Sequence, residues 1–428
     1  MKKVNIISLG CAKNLVDTEM LLRQLDKAGY ATETDVENSD AEVVIVNTCG
    51  FIGDAKEESV NTILEQVERK KEGKIGQLYV IGCLSQRYRD ELKVEIPEVD
   101  GFFGKFDWPE VLKKMGRHFD ESIRYQRILT TPAHYAYLKI SEGCNRTCSY
   151  CAIPIMTGKH KSREFDGLLQ ECQDLVKNGV REVLVVAQDL TFYGMDLYGK
   201  NRLAELIERL ADIQGLEWIR LHYAYPAGFP EEVLKVMRER SNVCKYLDIA
   251  LQHCSDHMLR KMRRGITKQQ TMDLLRKIRN EVPGIFIRTT LMTGHPGETE
   301  EDFQELCEFV RQMKFERLGV FPYSHEEDTY CDKNYTDDVP EEIKKARAEK
   351  IMQIQAQVSE DLNASLIGKK IRVLIDREEE ESYIGRTEHD SPEVDPEVII
   401  SSPEKLETGR FYDVIVSGSD GFDLFARI

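Results

Sequence analysis

The sequence predicts an α/β protein in three consecutive parts: an N-terminal open parallel α/β layer, a central partial (β/α)6 barrel, and a C-terminal all-β module of the OB-like type. Two observations carry this. Up to about residue 325, apolar strand-like runs alternate with helical stretches; beyond a long charged helix, the apolar period changes to two. The expected boundaries are 1–117, 130–363 and 364–428.

The elements follow in order. VNIIS leads to NLVDTEMLLRQLDKAGY, EVVIVN to DAKEESVNTILEQVERK and LYVIGC to SQRYRDELK, and such alternation requires parallel strands joined by helical crossovers. GFFG (Gly101 to Gly104) and a short helix near Trp108 and Pro109 close this layer. A linker from His118 to His134 follows. The candidate barrel strands are AYLKIS, EVLVVAQD, WIRLHYA, YLDIALQH, IFIRTTLMTG and RLGVFPYS. PEEIKKARAEKIMQIQAQVSEDLNASL, from Pro340, is the long helix. KIRVLID, SYIGRT, EVIIS, FYDVIVSG and DLFARI are then the five short strands of the last module.

At 428 residues, 41% apolar and 31% charged, the chain has a globular composition. It shows neither a secretory leader nor a long uninterrupted apolar run, so a cytoplasmic location and no membrane partner are expected. Eleven cysteines in a reducing compartment point to metal or catalysis rather than to disulfides. A formal charge of −16 discourages general adhesion to nucleic acid and favours a basic partner.

The strongest local signal is SEGCNRTCSYC, which places Cys144, Cys148 and Cys151 on one loop after the first barrel strand. Three thiolates so spaced can each hold one iron of a cubane cluster and leave a fourth iron open. Zinc with His160 as fourth ligand, a redox pair of Cys148 and Cys151, and buried structural thiols are the competing readings. Other polar residues fall at strand ends, where barrel chemistry sits: Gln188 and Asp189 after the second strand, Gln252 and His253 after the fourth. The fifth strand ends in LMTGHPGET, which by itself reads as a turn before a helix. Arg163 could bind a carboxylate, though it reads first as a solvated charge, and Cys172, Cys244, Cys254, Cys307 and Cys331 read as structural or incidental.

Three further cysteines end the three N-terminal strands: Cys11, Cys49 and Cys83, beside Gly10, Gly50 and Gly82. Ligands of open α/β sheets bind outside the carboxyl ends of the strands, so these thiols can converge on a second open cluster.

The cysteine triplet, with Tyr150 before its third member and a barrel behind it, resembles the radical S-adenosylmethionine superfamily. With the N-terminal cysteines, the whole chain is similar to the methylthiotransferase family of that superfamily, whose C-terminal β domain is called TRAM. The resemblance implies two 4Fe-4S clusters, an auxiliary one on Cys11, Cys49 and Cys83 and a radical one on Cys144, Cys148 and Cys151. It also implies S-adenosylmethionine as cosubstrate, contacted by Gly294, Gly297 and Glu298 with Gln252 and His253 at the mouth, and a low-potential electron donor. The implied reaction adds a methylthio group to an unactivated carbon.

The family has two main branches. SLGCAKNLVDTE is similar to the branch that modifies the β-carbon of an aspartate in ribosomal protein S-twelve, rather than to the branch acting on a modified adenosine of tRNA. Charge agrees: from Ala364 to Ile428 there are 8 Lys and Arg against 15 Asp and Glu, a net of 8 − 15 = −7. That suits a basic protein substrate better than RNA. An iron–sulfur electron carrier and a zinc-stapled RNA-binding protein are the alternatives from other classes.

Overall fold

The computed structural model describes residues 2–428. Its first layer contains β1 (Lys3–Ser8), α1 (Ala12–Lys27), β2 (Ala31–Thr34), β3 (Val43–Thr48), α2 (Gly53–Lys71), β4 (Gln77–Gly82), α3 (Cys83–Glu95), β5 (Gly101–Phe102) and α4 (Trp108–Lys114). The strands form one parallel sheet in the order β2-β1-β3-β4-β5. Chain direction across the sheet reverses between β1 and β3, and that switch point is where such sheets open a crevice. Valine- and isoleucine-rich strands bury both faces. Val4, Ile6, Val43 and Ile45 pack under α1 and α4, while Val44, Val46, Leu78 and Val80 pack under α2 and α3.

β2 had no counterpart in the sequence reading. ATET carries no apolar run and is half-buried along its length, as an edge strand can be. The expected linker is pinned rather than loose. Glu19 of α1 accepts from Thr130 N at 2.9 Å and pairs with Arg127 at 3.0 Å, and Gln24 exchanges hydrogen bonds with the Asp120 backbone.

The central part contains all six expected strands: β6 (Tyr135–Lys139), β9 (Glu182–Val186), β10 (Trp218–Ala224), β11 (Val243–Ile249), β12 (Phe286–Thr293) and β13 (Arg317–Pro322). They pair in parallel in chain order as an open six-stranded sheet. A small antiparallel ladder, β7 (Ser141–Glu142) with β8 (Lys161–Ser162), was not foreseen; it brackets the cysteine loop. Short helices α5 (Ile153–Thr157), α7 (Met195–Tyr198), α10 (Asp256–Lys261) and α13 (Tyr330–Asn334) follow strand ends. The longer α6 (Phe165–Lys177), α8 (Leu203–Ala211), α9 (Glu232–Glu239), α11 (Lys268–Glu281) and α12 (Glu300–Met313) contribute to the main core. α14 (Glu341–Ala364) lies along the β13 edge: Ile351 and Ile354 join that core, and Gln355 caps Phe315 O at 2.9 Å.

Alternate residues of β6 and β9 face opposite ways. Ala136, Leu138, Val183 and Val185 enter the barrel core, whereas Tyr135, Tyr137, Leu184 and Val186 join the apolar cluster of the N-terminal layer. The two parallel sheets therefore share buried surface.

The C-terminal strands β14 (Lys370–Glu378), β15 (Tyr383–Arg386), β16 (Val398–Ser401), β17 (Phe411–Ser419) and β18 (Leu424–Arg427) close a barrel ordered β14-β15-β16-β18-β17. The β15–β16 connection docks on residues from the starts and middles of the central strands. Asp390 pairs with Arg317 at 3.0 Å, and Asp395 with Arg288 at 3.2 Å and Tyr246 at 2.6 Å. Glu393 accepts from Tyr135 and Tyr137, both at 3.3 Å. At the junction, fully buried Glu182 lies between Arg220 and Arg386, each at 2.8 Å. Burial opposes its ionisation, but the two guanidiniums hold it below the usual carboxylate range.

This contact revises the charge argument. Asp376, Asp390, Glu393 and Asp395 face partners at the domain junction, so only part of the acidic excess of the last module meets solvent.

Replacing Arg386 by alanine leaves Glu182 and Asp376 short of a buried partner and is expected to cost about 3–5 kcal/mol. Guanidinium denaturation of the full chain measures this. Glu378→Ala, at an exposed site, is the control and should shift stability by no more than about 0.5 kcal/mol.

Candidate active site

The three N-terminal cysteines sit where the strand ends place them. Cys11 is the N-cap of α1, Cys49 follows β3, and Cys83 opens α3 directly after β4. They lie close enough to interact electrostatically: Cys11 and Cys49 act on Cys83, and Cys11 acts on Cys49. The turns between strand and cysteine are tight. Gly10 has φ +90°, and a Cβ there would stand 2.7 Å from Cys49 Cβ; Gly82 has φ +99°, and a Cβ there would meet Thr48 N at 2.6 Å. Glycine is what lets these strand ends approach one another.

Asn14, in the first turn of α1, joins the three ends. Its amide donates to Leu9 O at 3.1 Å and Thr48 O at 3.0 Å, and its Oδ1 lies 3.7 Å from Cys83 Sγ. Lys105 enters from below, with Nζ 3.9 Å from Cys83 Sγ and 3.4 Å from each of Asn14 Oδ1, Asp17 Oδ2 and Glu142 Oε1. Burial pushes the Cys83 thiol up to about 12 and also raises that of Cys49. Cys11 goes the other way: desolvation by the surrounding protein opposes ionisation, but the ammoniums of Lys13 and Lys105 bring its pKa down.

The second set lies on the loop after β7. The Cys144 amide donates to Gly158 O at 3.1 Å, and Cys144 Sγ accepts from Arg146 N at 3.4 Å. Arg264 places Nη1 3.2 Å from Cys148 Sγ and 3.2 Å from Tyr150 Oη, and Tyr225 Oη lies 3.7 Å from the same sulfur. Arg146 and Arg264 both stack on the Tyr225 ring, at 4.0 and 4.1 Å. Arg146 is fixed by Asp189 at 2.7 Å. Burial raises the Cys144 thiol to about 11 and the Cys151 thiol further. The loop is anchored through Ser149, whose Oγ lies 3.0 Å from His295 Nε2; burial holds that imidazole down at about 4 and therefore neutral.

The donor chemistry suits iron–sulfur clusters at both places: three thiols each, cations against the sulfurs, and glycine turns that admit close approach. Among the described residues no three His, Cys, Asp or Glu side chains close around a single metal ion. His160 is turned to Ser162 at 3.0 Å and packs on Phe192. A Cys3His zinc site therefore has little support from this geometry, whereas thiolates on separate irons of a cubane need not converge on one atom.

The remaining candidates separate. His253 and Glu298 are fully buried 3.2 Å apart; Glu298 also accepts from Gly294 N at 2.8 Å and Arg347 at 2.6 Å. A Cβ at Gly294 would lie 2.8 Å from Lys344 Cβ, and one at Gly297 would lie 2.9 Å from Lys261 Cε, so lysine stems pack against both glycines. Gln252 differs: it bridges Leu291 through its backbone at φ +71° and remains half-exposed after β11. Gln188 donates to Glu142. Arg163 is not a solvated charge; its side chain is 9% exposed, pairs with Glu171 at 2.5 Å and donates to Lys139 O at 2.8 Å. Cys172, Cys244, Cys254, Cys307 and Cys331 are all buried.

Sequence reasoning did not find Asn14, Lys105, Arg264 or Tyr225. Asn14 stood in the quoted AKNLVDTE stretch, while the other three carry no local signal.

Comparison with known proteins matches each part. Residues 138–310 match the Radical SAM superfamily, residues 3–104 the uncharacterized protein family UPF0004, and residues 367–428 the TRAM domain. The chain is thus a radical S-adenosylmethionine enzyme with an added N-terminal cysteine domain and a C-terminal TRAM barrel. The ribosomal protein uS12 methylthiotransferase RimO of Porphyromonas gingivalis is 61% identical over 428 residues, covering 100% of this chain and 99% of its own. That of Bacteroides thetaiotaomicron is 59% identical, with 100% and 98% covered. The chain belongs to this uS12 methylthiotransferase family. Among solved structures, the radical methyltransferase TsrM from Kitasatospora setae has a TM-score of 0.56 at 15% identity, covering 78% of this chain and 77% of that one. The cobalamin-dependent enzyme OxsB has a TM-score of 0.52 at 14% identity, covering 82% and 56%. Both share the fold.

Gly10→Ala should force Cys49 away from Cys11. Iron analysis of the reconstituted protein is expected to fall by about half, since one of two four-iron clusters is lost.

Proposed function

We propose that this chain adds a methylthio group to the β-carbon of an aspartate in ribosomal protein uS12, with Cys144, Cys148 and Cys151 holding the radical cluster and Cys11, Cys49 and Cys83 the auxiliary one. The observation that carries the reading is two three-thiol sets at the carboxyl ends of two parallel sheets, joined by the Lys105–Glu142 contact at 3.4 Å. When bound, the clusters and S-adenosylmethionine supply one-electron carbon–sulfur cleavage, hydrogen abstraction and a carrier for sulfur.

The protein's own residues do the rest. Arg264 and Arg146 place positive charge beside the radical cysteines, and Lys105 and Lys13 do so beside the auxiliary ones. Asn14 keeps the three auxiliary strand ends together. The N-terminal layer, packed on β6 and β9, covers one side of the sheet and limits water there. Gly294, Gly297 and Glu298, with Gln252 and His253 at the strand end, are the residues proposed to contact the cosubstrate. A low-potential electron donor completes the requirement.

Eleven free cysteines accord with a cytoplasmic location, and among the described residues no helix is long and apolar enough to cross a membrane. The preference for a basic protein substrate over tRNA rests on the SLGCAKNLVDTE resemblance and on the relatives' naming, since the exposed Glu378 to Glu381 run alone is also what a solvated loop would show.

The test incubates reconstituted enzyme with reductant, S-adenosylmethionine and either uS12 or tRNA. Mass spectrometry is expected to find the methylthio mass on an aspartate of uS12; label on adenosine alone overturns the substrate. Cys11→Ala is expected to keep forming deoxyadenosine while sulfur transfer disappears, and normal transfer by that variant would refute the auxiliary assignment.

A further inference from the structure

The lysines at the junction of the two cysteine sets are not alike. Lys105 and Lys139 are buried, and each lies within reach of Asp17 and Glu142. Lys13 is half-buried, yet among the described residues no carboxylate lies within 4.0 Å of its Nζ. It also stands in the first turn of α1, where the helix dipole disfavours a cation. Its Nζ instead lies 3.8 Å from the centroid of the Tyr223 ring. Tyr223, near the carboxyl end of β10, has φ +66°, a conformation that a bulky side chain adopts only at a cost.

A cation is thus held against its own helix dipole, between the Cys11 thiol of the auxiliary set and the mouth of the barrel, with an aromatic face on one side and, among the described residues, no carboxylate in salt-bridge contact. The reaction proposed above supplies an anion of fitting chemistry. The carbon that receives sulfur in an aspartate side chain is bonded directly to the carboxylate. Whatever holds that carboxylate must therefore stand within a few ångströms of the point of sulfur delivery.

We infer that Lys13, backed by the Tyr223 ring, is the binding group for the side-chain carboxylate of the substrate aspartate. This rests on the functional reading above and names the residue that would make it specific for aspartate. A neutral asparagine or alanine at the target position forfeits the charge-assisted contact. Lys105 cannot serve the same purpose, because Asp17 and Glu142 already occupy it.

The experiment measures binding of purified uS12, carrying either its target aspartate or alanine there, to the reconstituted enzyme by fluorescence anisotropy at fixed ionic strength. The wild-type chain is expected to bind the aspartate form at least about tenfold more tightly, as charge-assisted contacts in partly dry sites do. Lys13→Met is expected to bind both forms alike, and Lys13→Arg to restore the preference. A Lys13 that served only to balance cluster charge would alter the cluster's absorption or iron content while leaving the aspartate preference intact. That result overturns the inference, as does a wild-type chain with no preference. Loss of iron from Lys13→Met would shift the decision to Lys13→Arg paired with Tyr223→Leu, where a preference unchanged by the leucine and lost in the arginine variant also refutes it. Failure of the functional reading is seen separately, as absence of methylthio transfer to uS12 by the wild-type chain in the mass spectrum.

Discussion

A buried ammonium is costly unless anions surround it, and Lys105 has them from both sides of a domain boundary. Asp17 comes from α1 of the N-terminal layer and Glu142 from β7 of the barrel, each 3.4 Å away. Lys139 of β6 repeats the arrangement in reverse, reaching Asp17 and, at 2.8 Å, Glu142. Two cations and two carboxylates thus form one cluster that neither part can complete alone. Apolar packing of α1 and α4 on β6 and β9 supplies area, but it is tolerant of small rotations; a buried charge cluster is not. The relative orientation of the two cysteine sets depends on this cluster.

The other end of the barrel is held by the same physics with different donors. Arginines on β10, β12 and β13 point into a polar interior that no apolar plug could fill without leaving them unpaired. The β15–β16 connection meets them with Asp390 and Asp395 and the backbone carbonyls of Thr387 and Glu388, while its Glu393 accepts from Tyr135 and Tyr137 of β6. Several of the acidic residues that make the last module look like a surface for a basic partner are in fact its attachment to the barrel. The Glu378 to Glu381 run stays exposed, with Glu378 near Lys405 and Glu379 paired with Arg377.

Much of this was legible in the sequence because parallel sheets write their chemistry at one end. An apolar run followed by a glycine and a cysteine locates both an element and the position of a thiol: Cys11, Cys83 and Cys144 follow such a glycine, Cys49 stands just before one, and Cys148 and Cys151 continue the Cys144 loop. The four-residue β2 was not legible, since ATET lacks an apolar run, and neither was the two-residue β7–β8 ladder, which is too short to have a period. The partners of the thiols were hidden for another reason. Lys105 and Arg264 lie on connections far along the chain from the cysteines they touch, and single charged residues on polar connections look like solvated ones. Arg163 shows the same error in miniature: its guanidinium is buried against Glu171, a partner on α6 that spacing alone did not single out.

The two cysteine sets are balanced by different cations, and the difference has a physical consequence. Arg264 and Arg146 stand at the radical set, and a guanidinium does not give up its proton at any pH the protein survives. The charge beside Cys148 is therefore constant, which suits a centre whose reduction potential must not drift. Lysines stand at the auxiliary set, with compact charges that can approach a sulfur or a carboxylate end-on without the planar geometry a guanidinium demands. On the assignment proposed above, fixed charge would stand around the centre that moves an electron, and compact, adaptable charge around the centre that hands sulfur to an incoming side chain.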